Sequence, residues 1–110
     1  MSRELKPQWF HILLALADGE LHGLGIVDAV LTHSGGRVRL WPATLYGSLK
    51  ELVSDGLIEE RDGPPGPGSA TDRRRFYGIT RAGKKALAAE VGQLVRYVEV
   101  AQRKKVPVKQ

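Results

Sequence analysis

Residues 63–68 of this chain are all glycine or proline, and they separate two segments that are typical of β-strands. Proline disrupts a helix interior and glycine destabilises one, so no regular helix continues through this stretch. The flanking residues 57–61 and 73–80 have the patterns of an outgoing and a returning strand. The sequence therefore predicts a β-hairpin whose tip is a mobile loop over residues 62–72.

Apolar residues recur at helical spacing before and after the hairpin. In the first such segment, Trp9, Ile12, Leu13 and Leu16 fall at positions i, i+3, i+4 and i+7 and form one apolar face. Thr80 is a suitable N-cap for the last segment. The predicted helices cover residues 7–17, 22–33, 43–54 and 81–103, and alternating polar and apolar residues predict a short strand over residues 37–40.

The order of these elements is typical of one fold. Three helices followed by a two-stranded hairpin form a winged helix-turn-helix, and here a long C-terminal helix comes after it. We therefore expect a mainly α-helical chain with one small β-hairpin, of a length that suits a single core. Residues 1–80 would form the winged helix-turn-helix domain, residues 81–103 a dimerisation helix and residues 104–110 a flexible tail.

The composition is basic, with 17 lysines and arginines against 12 aspartates and glutamates and a formal net charge of +5. A polyanionic partner suits this balance, nucleic acid first and an acidic membrane surface second, although solubility alone also accounts for many basic proteins. The absence of cysteine excludes disulfides and thiolate chemistry. The N-terminus lacks the pattern of a signal peptide and the apolar stretches are short, so we expect a cytoplasmic protein with no membrane partner.

The predicted third helix separates an apolar face from a face of small and polar residues. Leu45, Leu49, Leu52 and Val53 share the apolar face. The opposite face, small enough to lie deep in the major groove of DNA, carries Ala43, Thr44, Gly47, Lys50, Glu51 and Ser54. Tyr46 lies on the flank, where its phenol could reach a phosphate. An ordinary amphipathic surface helix would show the same pattern.

Three consecutive arginines follow the glycine- and proline-rich stretch. Arg73, Arg74 and Arg75 stand at the start of the returning strand, next to the loop. Such a cluster suits contacts to DNA phosphates or insertion into a minor groove. A solvated run of charge is the alternative interpretation.

A seam of apolar residues runs along the predicted fourth helix. Its members follow one another at intervals of four and three residues: Leu87, Val91, Leu94, Val98 and Ala101. Phe10 and Leu14 lie off the main apolar face of the first helix, and a domain of this size has little core to cover both surfaces. We therefore expect a homodimer, whose two-fold axis would match a palindromic DNA site. Packing of the fourth helix on its own core is the alternative.

The residue pattern predicts neither an enzyme nor a metal or cofactor site. His11, His22 and His33 stand eleven residues apart, a spacing that places no two of them on one helical turn. An architectural or protein-interaction module is the remaining alternative to sequence-specific DNA binding. Glu51 favours it, because its carboxylate would repel phosphate unless it accepts a hydrogen bond from a cytosine amino group.

Three motifs taken together resemble the PadR family of bacterial transcriptional regulators. They are His22-Gly-Leu-Gly-Ile26, Pro42-Ala-Thr-Leu-Tyr46, and the arginine-rich strand that continues through Tyr77-Gly-Ile-Thr80. The resemblance covers roughly residues 9–101. It implies a dimeric repressor of a double-stranded DNA operator, with the third helix, residues 43–54, in the major groove and the wing, residues 62–75, on the backbone or minor groove. The DNA-facing residues it implies are Thr44, Tyr46, Gly47, Lys50 and the three arginines of the returning strand.

The resemblance also implies that the last helix packs on the first helix of a partner subunit. Some members of the family bind aromatic or drug-like ligands near the dimer centre, and Trp9 and Leu94 are the residues that would lie near such a pocket here. The chain departs from the family pattern at Leu24, where an aromatic is common, at Trp41, where a small residue is usual, and at Gly78, where a polar or basic residue is usual.

Overall fold

The computed structural model describes residues 5–65 and 73–109, so that the central part of the predicted loop, residues 66–72, lies outside the described residues. The helices are α1 (Pro7–Leu16), α2 (Gly23–His33), α3 (Pro42–Ser54) and α4 (Arg81–Arg103), and the strands are β1 (Leu21–His22), β2 (Ile58–Pro65) and β3 (Arg73–Ile79). This order confirms the predicted winged helix-turn-helix followed by a long helix.

The first three helices enclose the core with the faces that the apolar spacing predicts. Prolines occupy the first position of α1 and of α3, where the missing N–H is not needed by the helix. The largest fully buried side chains come from all three helices and from β2: Ile12, Leu13, Leu16, Ile26, Val30, Leu49, Leu52 and Ile58. Each such side chain stabilises the fold by about 1.5–3 kcal/mol relative to exposure.

The wing, defined here as the β2–β3 hairpin, carries a third strand. The antiparallel sheet has the order β1-β3-β2, with Ile58 paired to Ile79 and Leu21 paired to Tyr77. The sheet therefore has one strand more than the predicted two-stranded wing. This additional strand, β1, links the start of α2 to the hairpin. A strand of two residues is too short to show an alternating pattern in the sequence.

The predicted strand over residues 37–40 is wrong, because this segment pairs with no strand of the described chain. The alternation that predicted it is real: Leu40 is buried and Val38 half-buried, whereas Arg37 and Arg39 are exposed. The Val38 backbone N–H donates a hydrogen bond of 2.9 Å to the Ser34 hydroxyl. Alternate burial against the core thus produced a strand-like pattern without a neighbouring strand.

Three helix boundaries differ from the predictions by one residue, among them the start of α3 at Pro42, whereas the bounds of α4 agree with the prediction. His22 belongs to β1 and caps α2, since its Nδ1 accepts a hydrogen bond of 3.2 Å from the Gly25 backbone N–H, and the helix therefore begins at Gly23. α1 ends at Leu16, one residue before the predicted end.

The start of α4 is built into the core, and the rest of the helix leaves it. Thr80 caps the helix as predicted, its hydroxyl accepting a hydrogen bond of 3.1 Å from the Gly83 N–H. Gly83 and Leu87 are the buried residues of α4, and beyond Leu87 most of the helix is exposed. Among the helices described, none has the length and hydropathy that crossing a membrane requires.

Gly83 is where we expect the fold to tolerate a methyl group least. A Cβ there would lie 2.0 Å from the Leu57 carbonyl oxygen and 2.8 Å from Ile79 Cγ1, so the helix and the α3–β2 turn would have to separate. Gly83→Ala should lower the free energy of unfolding by about 2–3 kcal/mol in urea denaturation. Gly92→Ala is the matched control, because open space surrounds that position and alanine should stabilise the helix by about 0.5–1 kcal/mol. Equal effects of the two substitutions would contradict the packing described here.

A hydrogen-bonded histidine pair joins α1 to α2, which the spacing of the histidines does not indicate. His11 Nδ1 lies 3.2 Å from His33 Nε2, and the ring planes are inclined by 23°. Burial lowers the pKa of both imidazoles, and the neighbouring His11 lowers that of His33 further. No group of three or more potential metal ligands accompanies the pair among the described residues.

Acid should destabilise the fold through this pair. Both imidazole pKa values lie below the ordinary value of 6.5 in the folded state. The stability of the fold that depends on neutral histidines is therefore fully present above pH 6.5 and is lost as the pH falls toward the lowered pKa values. The melting temperature should decline as pH falls below about 6.5, and His33→Gln should flatten that decline slightly, because solvent screens these partly exposed imidazoles. Parallel pH profiles for the wild type and the variant would contradict this role.

Candidate nucleic-acid interface

The outer face of α3 is open to solvent along the helix. Leu45, Leu49 and Leu52 are buried on the inner side, which fixes the rotation of the helix about its axis. All six residues predicted for the opposite face are exposed: Ala43, Thr44, Gly47, Lys50, Glu51 and Ser54. Open space surrounds the position that a Cβ would occupy at Gly47. The face is therefore narrow and uncovered, the shape that a DNA major groove admits.

Glu51, the residue of this face least suited to DNA, is paired with a lysine from another part of the chain. The Nζ of Lys6, the residue before α1, lies 2.9 Å from a Glu51 carboxylate oxygen. The same Nζ lies 5.1 Å from the centroid of the Trp9 ring. Both ion-pair partners are about half exposed, so the pair adds less than about 1 kcal/mol of stability. Its consequence is electrostatic, because it offsets the negative charge that Glu51 would otherwise present beside Lys50.

Tyr46 projects from the flank of α3 toward the start of α2. A Cβ at Gly23 would lie 3.1 Å from the Tyr46 hydroxyl oxygen, so glycine leaves the phenol the room it occupies. Tyr46 remains 56% exposed, and Leu24, where the family commonly has an aromatic, is also exposed. An accessible phenol thus stands at the junction of the two helices of the helix-turn-helix.

Of the three arginines predicted to contact DNA from the wing, the structure describes the side chain of Arg75. The Arg75 side chain is exposed, and its Nη1 lies 3.5 Å from Glu60 Oε1 on the paired strand, a weak ion pair. The backbones of Arg73 and Arg74 belong to β3, whereas their side chains lie outside the described part of the structure.

Arg61, at the base of the wing, is engaged by acidic neighbours. Its guanidinium donates hydrogen bonds to the carboxylates of Glu59 and Glu20, and these bonds, that to Glu59 first, raise the pKa of Arg61. Gly78, one of the departures from the family pattern, lies beneath this group, and a Cβ there would touch Arg61 and Glu20 at ordinary contact distances. The charge of Arg61 is therefore balanced within the protein.

The residues predicted for a subunit contact are spread over α1 and α4: Phe10, Leu14, Leu87, Val91, Leu94, Val98 and Ala101. Leu87 is buried in the core of its own chain, as the alternative interpretation of the helix expects. Phe10 and Leu14 are half-buried against that core. The three residues that follow Leu87 in the seam are 38–44% exposed, and exposed Val95 and Tyr97 widen the strip. We call these five exposed residues of α4 the apolar strip.

A cavity of about 990 Å³ lies between the start of α1, the α3–β2 turn and α4. Trp9 forms part of its wall and is 4% exposed, and the indole Nε1 has no hydrogen-bond partner among the described residues. Lys85, Glu90 and Gln93 bring polar groups from α4. Leu94, the other residue predicted for a ligand pocket, lies on the apolar strip and not in this wall, so the structure does not bring the two together.

Comparison with known proteins places this chain among transcriptional regulators. The model of the transcriptional regulator PadR-like family matches residues 12–89. The chain is 37% identical over 84 residues to the transcriptional regulator Rv3488 of Mycobacterium tuberculosis, covering 73% of this chain and 68% of that protein. It is 36% identical over 85 residues to an uncharacterized 37.1 kDa protein in transposon TN4556 of Streptomyces fradiae, covering 77% of this chain but only 22% of that protein.

Solved structures of regulators share the fold. A PadR family transcription regulator from Clostridium difficile has a TM-score of 0.70 at 22% identity, covering 86% of this chain and 94% of that one. Bacillus subtilis PadR in complex with operator DNA has a TM-score of 0.70 at 25% identity, covering 81% of this chain and 48% of that one. The family consists of DNA-binding regulators and not of enzymes, and this chain belongs to it: it is a member of the PadR family of transcriptional regulators.

Proposed function

We propose that the protein is a dimeric, sequence-specific repressor that occupies a DNA operator with the outer face of α3 in the major groove. The observation that carries this proposal is the geometry of α3. Its leucines are buried on one side, and Thr44, Gly47 and Lys50 are exposed on the other. Thr44 offers a hydroxyl and a methyl group to base edges, and Lys50 offers a cation suited to guanine or to phosphate.

The wing supplies the second contact in this proposal. Arg73, Arg74 and Arg75 stand at the start of β3, and their charges suit phosphates or a minor groove beside α3. Arg61 does not belong to this contact, because Glu59 and Glu20 already engage it. Tyr46 would donate its hydroxyl proton to a backbone phosphate.

The apolar strip of α4 supports a homodimer. Its exposed valines, leucine and tyrosine stand on a helix that has left the core of its own subunit. Pairing of this strip with α1 and α4 of a second copy would cover it, and the two-fold axis would present two α3 helices to a palindromic operator. In this arrangement residues 1–80 bind DNA, residues 81–103 hold the subunits together and residues 104–110 form a tail.

The cavity beside Trp9 supports control by a small aromatic effector. The indole ring of Trp9 offers an apolar surface to this cavity, and Lys85, Glu90 and Gln93 offer polar groups. An aromatic ligand with a polar substituent suits such a lining. Lys6 contacts both Trp9 and Glu51, so that a ligand here would act close to a residue that touches α3.

A nonspecific architectural module is the second candidate function, and Glu51 was the residue that favoured it. The pairing of Glu51 with Lys6 weakens that argument, because the carboxylate is already balanced within the protein. The ratio of specific to nonspecific affinity separates the two candidates.

Selection of bound fragments from genomic DNA would provide the operator for the decisive titration. Fluorescence anisotropy at fixed salt should show tighter binding to the operator than to a scrambled duplex. Lys50→Ala should weaken operator binding by about 1–3 kcal/mol if Lys50 contacts a base. Lys84→Ala removes the same charge from an exposed position of α4. This control variant should change the affinity for the operator little. Equal affinities for the operator and the scrambled duplex would overturn sequence specificity.

Light scattering at micromolar concentration should give the mass of a dimer, and Leu94→Asp should reduce it to that of a monomer. Leu94 is 44% exposed within one chain, so the aspartate should leave the fold of the subunit intact, which circular dichroism would confirm. Burying its charge in a subunit contact would be costly. Arg96→Asp introduces an aspartate outside the heptad seam, so this control variant should remain a dimer. A monomeric wild type would refute this assembly.

A further inference from the structure

The segment that leads into α3 exposes three residues that the proposed contacts leave unused. Arg37, Arg39 and Trp41 all face solvent, and Trp41 is 63% exposed. A single exposed apolar side chain is ordinary on a protein surface. This one, however, stands immediately before Pro42, the first residue of α3, at a position where the family usually has a small residue.

The backbone of this segment is fixed, although it belongs to no helix or strand. Leu40 is buried in the core, and Val38 is half-buried between the two arginines. The Ser34 hydroxyl accepts a hydrogen bond of 2.9 Å from the Val38 N–H and donates one of 3.2 Å to the Leu31 carbonyl oxygen. Val38 and Leu40 thus anchor the segment in the core. The residues that alternate with them, Arg37, Arg39 and Trp41, are therefore held at the surface.

The exposed side chains are also organised with respect to each other. The Arg39 guanidinium carbon lies 5.1 Å from the centroid of the Trp41 ring, within the range of a cation–π contact. This contact restrains the Arg39 side chain before binding. Less conformational entropy is therefore lost when the side chain binds a partner. A guanidinium held beside an aromatic ring keeps N–H groups that can bind phosphate oxygens well.

We propose, on the basis of the proposed function, that Arg37, Arg39 and Trp41 form an additional contact to the sugar-phosphate backbone of the operator. Because the N-terminal residues of a recognition helix contact base edges, the DNA strand that borders the groove passes close to the residues just before that helix. In this contact the two arginines bind phosphates, and the indole of Trp41 packs on a deoxyribose. The contact adds affinity without reading sequence.

The arginine contacts are tested by the salt dependence of operator binding. Each phosphate contact contributes about 0.9 to the slope of log affinity against log salt concentration. Arg39→Gln should therefore lower the slope by about 1.8 for a dimer that loses two contacts, and the ratio of operator to scrambled affinity should stay unchanged. Arg96→Gln, the same charge change at an exposed position of α4, should leave the slope as it is. An unchanged slope for both Arg37→Gln and Arg39→Gln would overturn the arginine contacts.

The indole contact is tested by fluorescence, because the chain has two tryptophans and only Trp41 is accessible. Subtracting the emission of Trp41→Phe from that of the wild type isolates the signal of Trp41 without altering the buried Trp9. Saturation with operator duplex should reduce acrylamide quenching of this signal about twofold or more, as burial of an exposed ring requires.

Two outcomes separate this inference from the proposed function. If anisotropy shows specific operator binding while acrylamide quenching of Trp41 is unaltered, the indole contact is wrong and the role of α3 stands. If the protein binds no duplex at all, both proposals fail. Protection of Trp41 together with a reduced salt slope for Arg39→Gln supports the whole contact.

Discussion

The burial of Leu49 and Leu52 is the interaction on which the rest of this structure depends. Both side chains are almost fully enclosed in the core that α3 shares with α1 and α2. Truncating either to alanine would cost about 2–5 kcal/mol, a large part of the 5–15 kcal/mol by which a domain of this kind is typically stable. Because a helix has only one rotation that buries these leucines, the same burial determines that Thr44, Gly47 and Lys50 face outward. Stability and the direction of the recognition face are therefore set by the same contacts.

The basic charge of the chain is divided between structural and accessible roles. Arg61 is engaged by two glutamates at the base of the wing, and Lys6 is engaged by Glu51 beside α3. These cations balance acidic residues near the interface. Lys50 and Arg75 are exposed on the two elements proposed to meet DNA, and Arg39 contacts an aromatic ring. Net charge alone does not reveal this division, since all these residues count equally in it.

Periodicity predicted those features that depend on burial along one element. The inner and outer faces of α3, the cap at Thr80 and the length of α4 follow from local spacing and from the chemistry of single residues. The strand over residues 37–40 was wrong for the same reason, because alternate burial of Val38 and Leu40 imitates a strand whether or not a neighbour exists. In the heptad seam of α4, spacing predicted an apolar face and left open whether its own chain or a partner subunit covers Leu87.

Features that join distant parts of the chain were beyond sequence reasoning. The Lys6–Glu51 ion pair spans 45 residues and the His11–His33 pair spans 22, and each exists only because of how α1 packs. The short strand β1 depends on the hairpin beside it. The cavity beside Trp9 is formed by three separate parts of the chain, so that its lining could not be deduced from any one of them. The family resemblance indicated the class of function, and only the packing shows which residues surround α3.

Gly47→Ala tests the central claim most directly, because it separates the stability of α3 from its use. Open space surrounds the position of the added methyl group, and alanine is the better helix former, so the free energy of unfolding should rise by about 0.5–1 kcal/mol. If the outer face of α3 lies in the major groove, the same methyl group should hold the helix away from the bases and weaken operator binding about tenfold, or 1.4 kcal/mol. A variant that is more stable and binds the operator as tightly as the wild type would contradict the proposed recognition face.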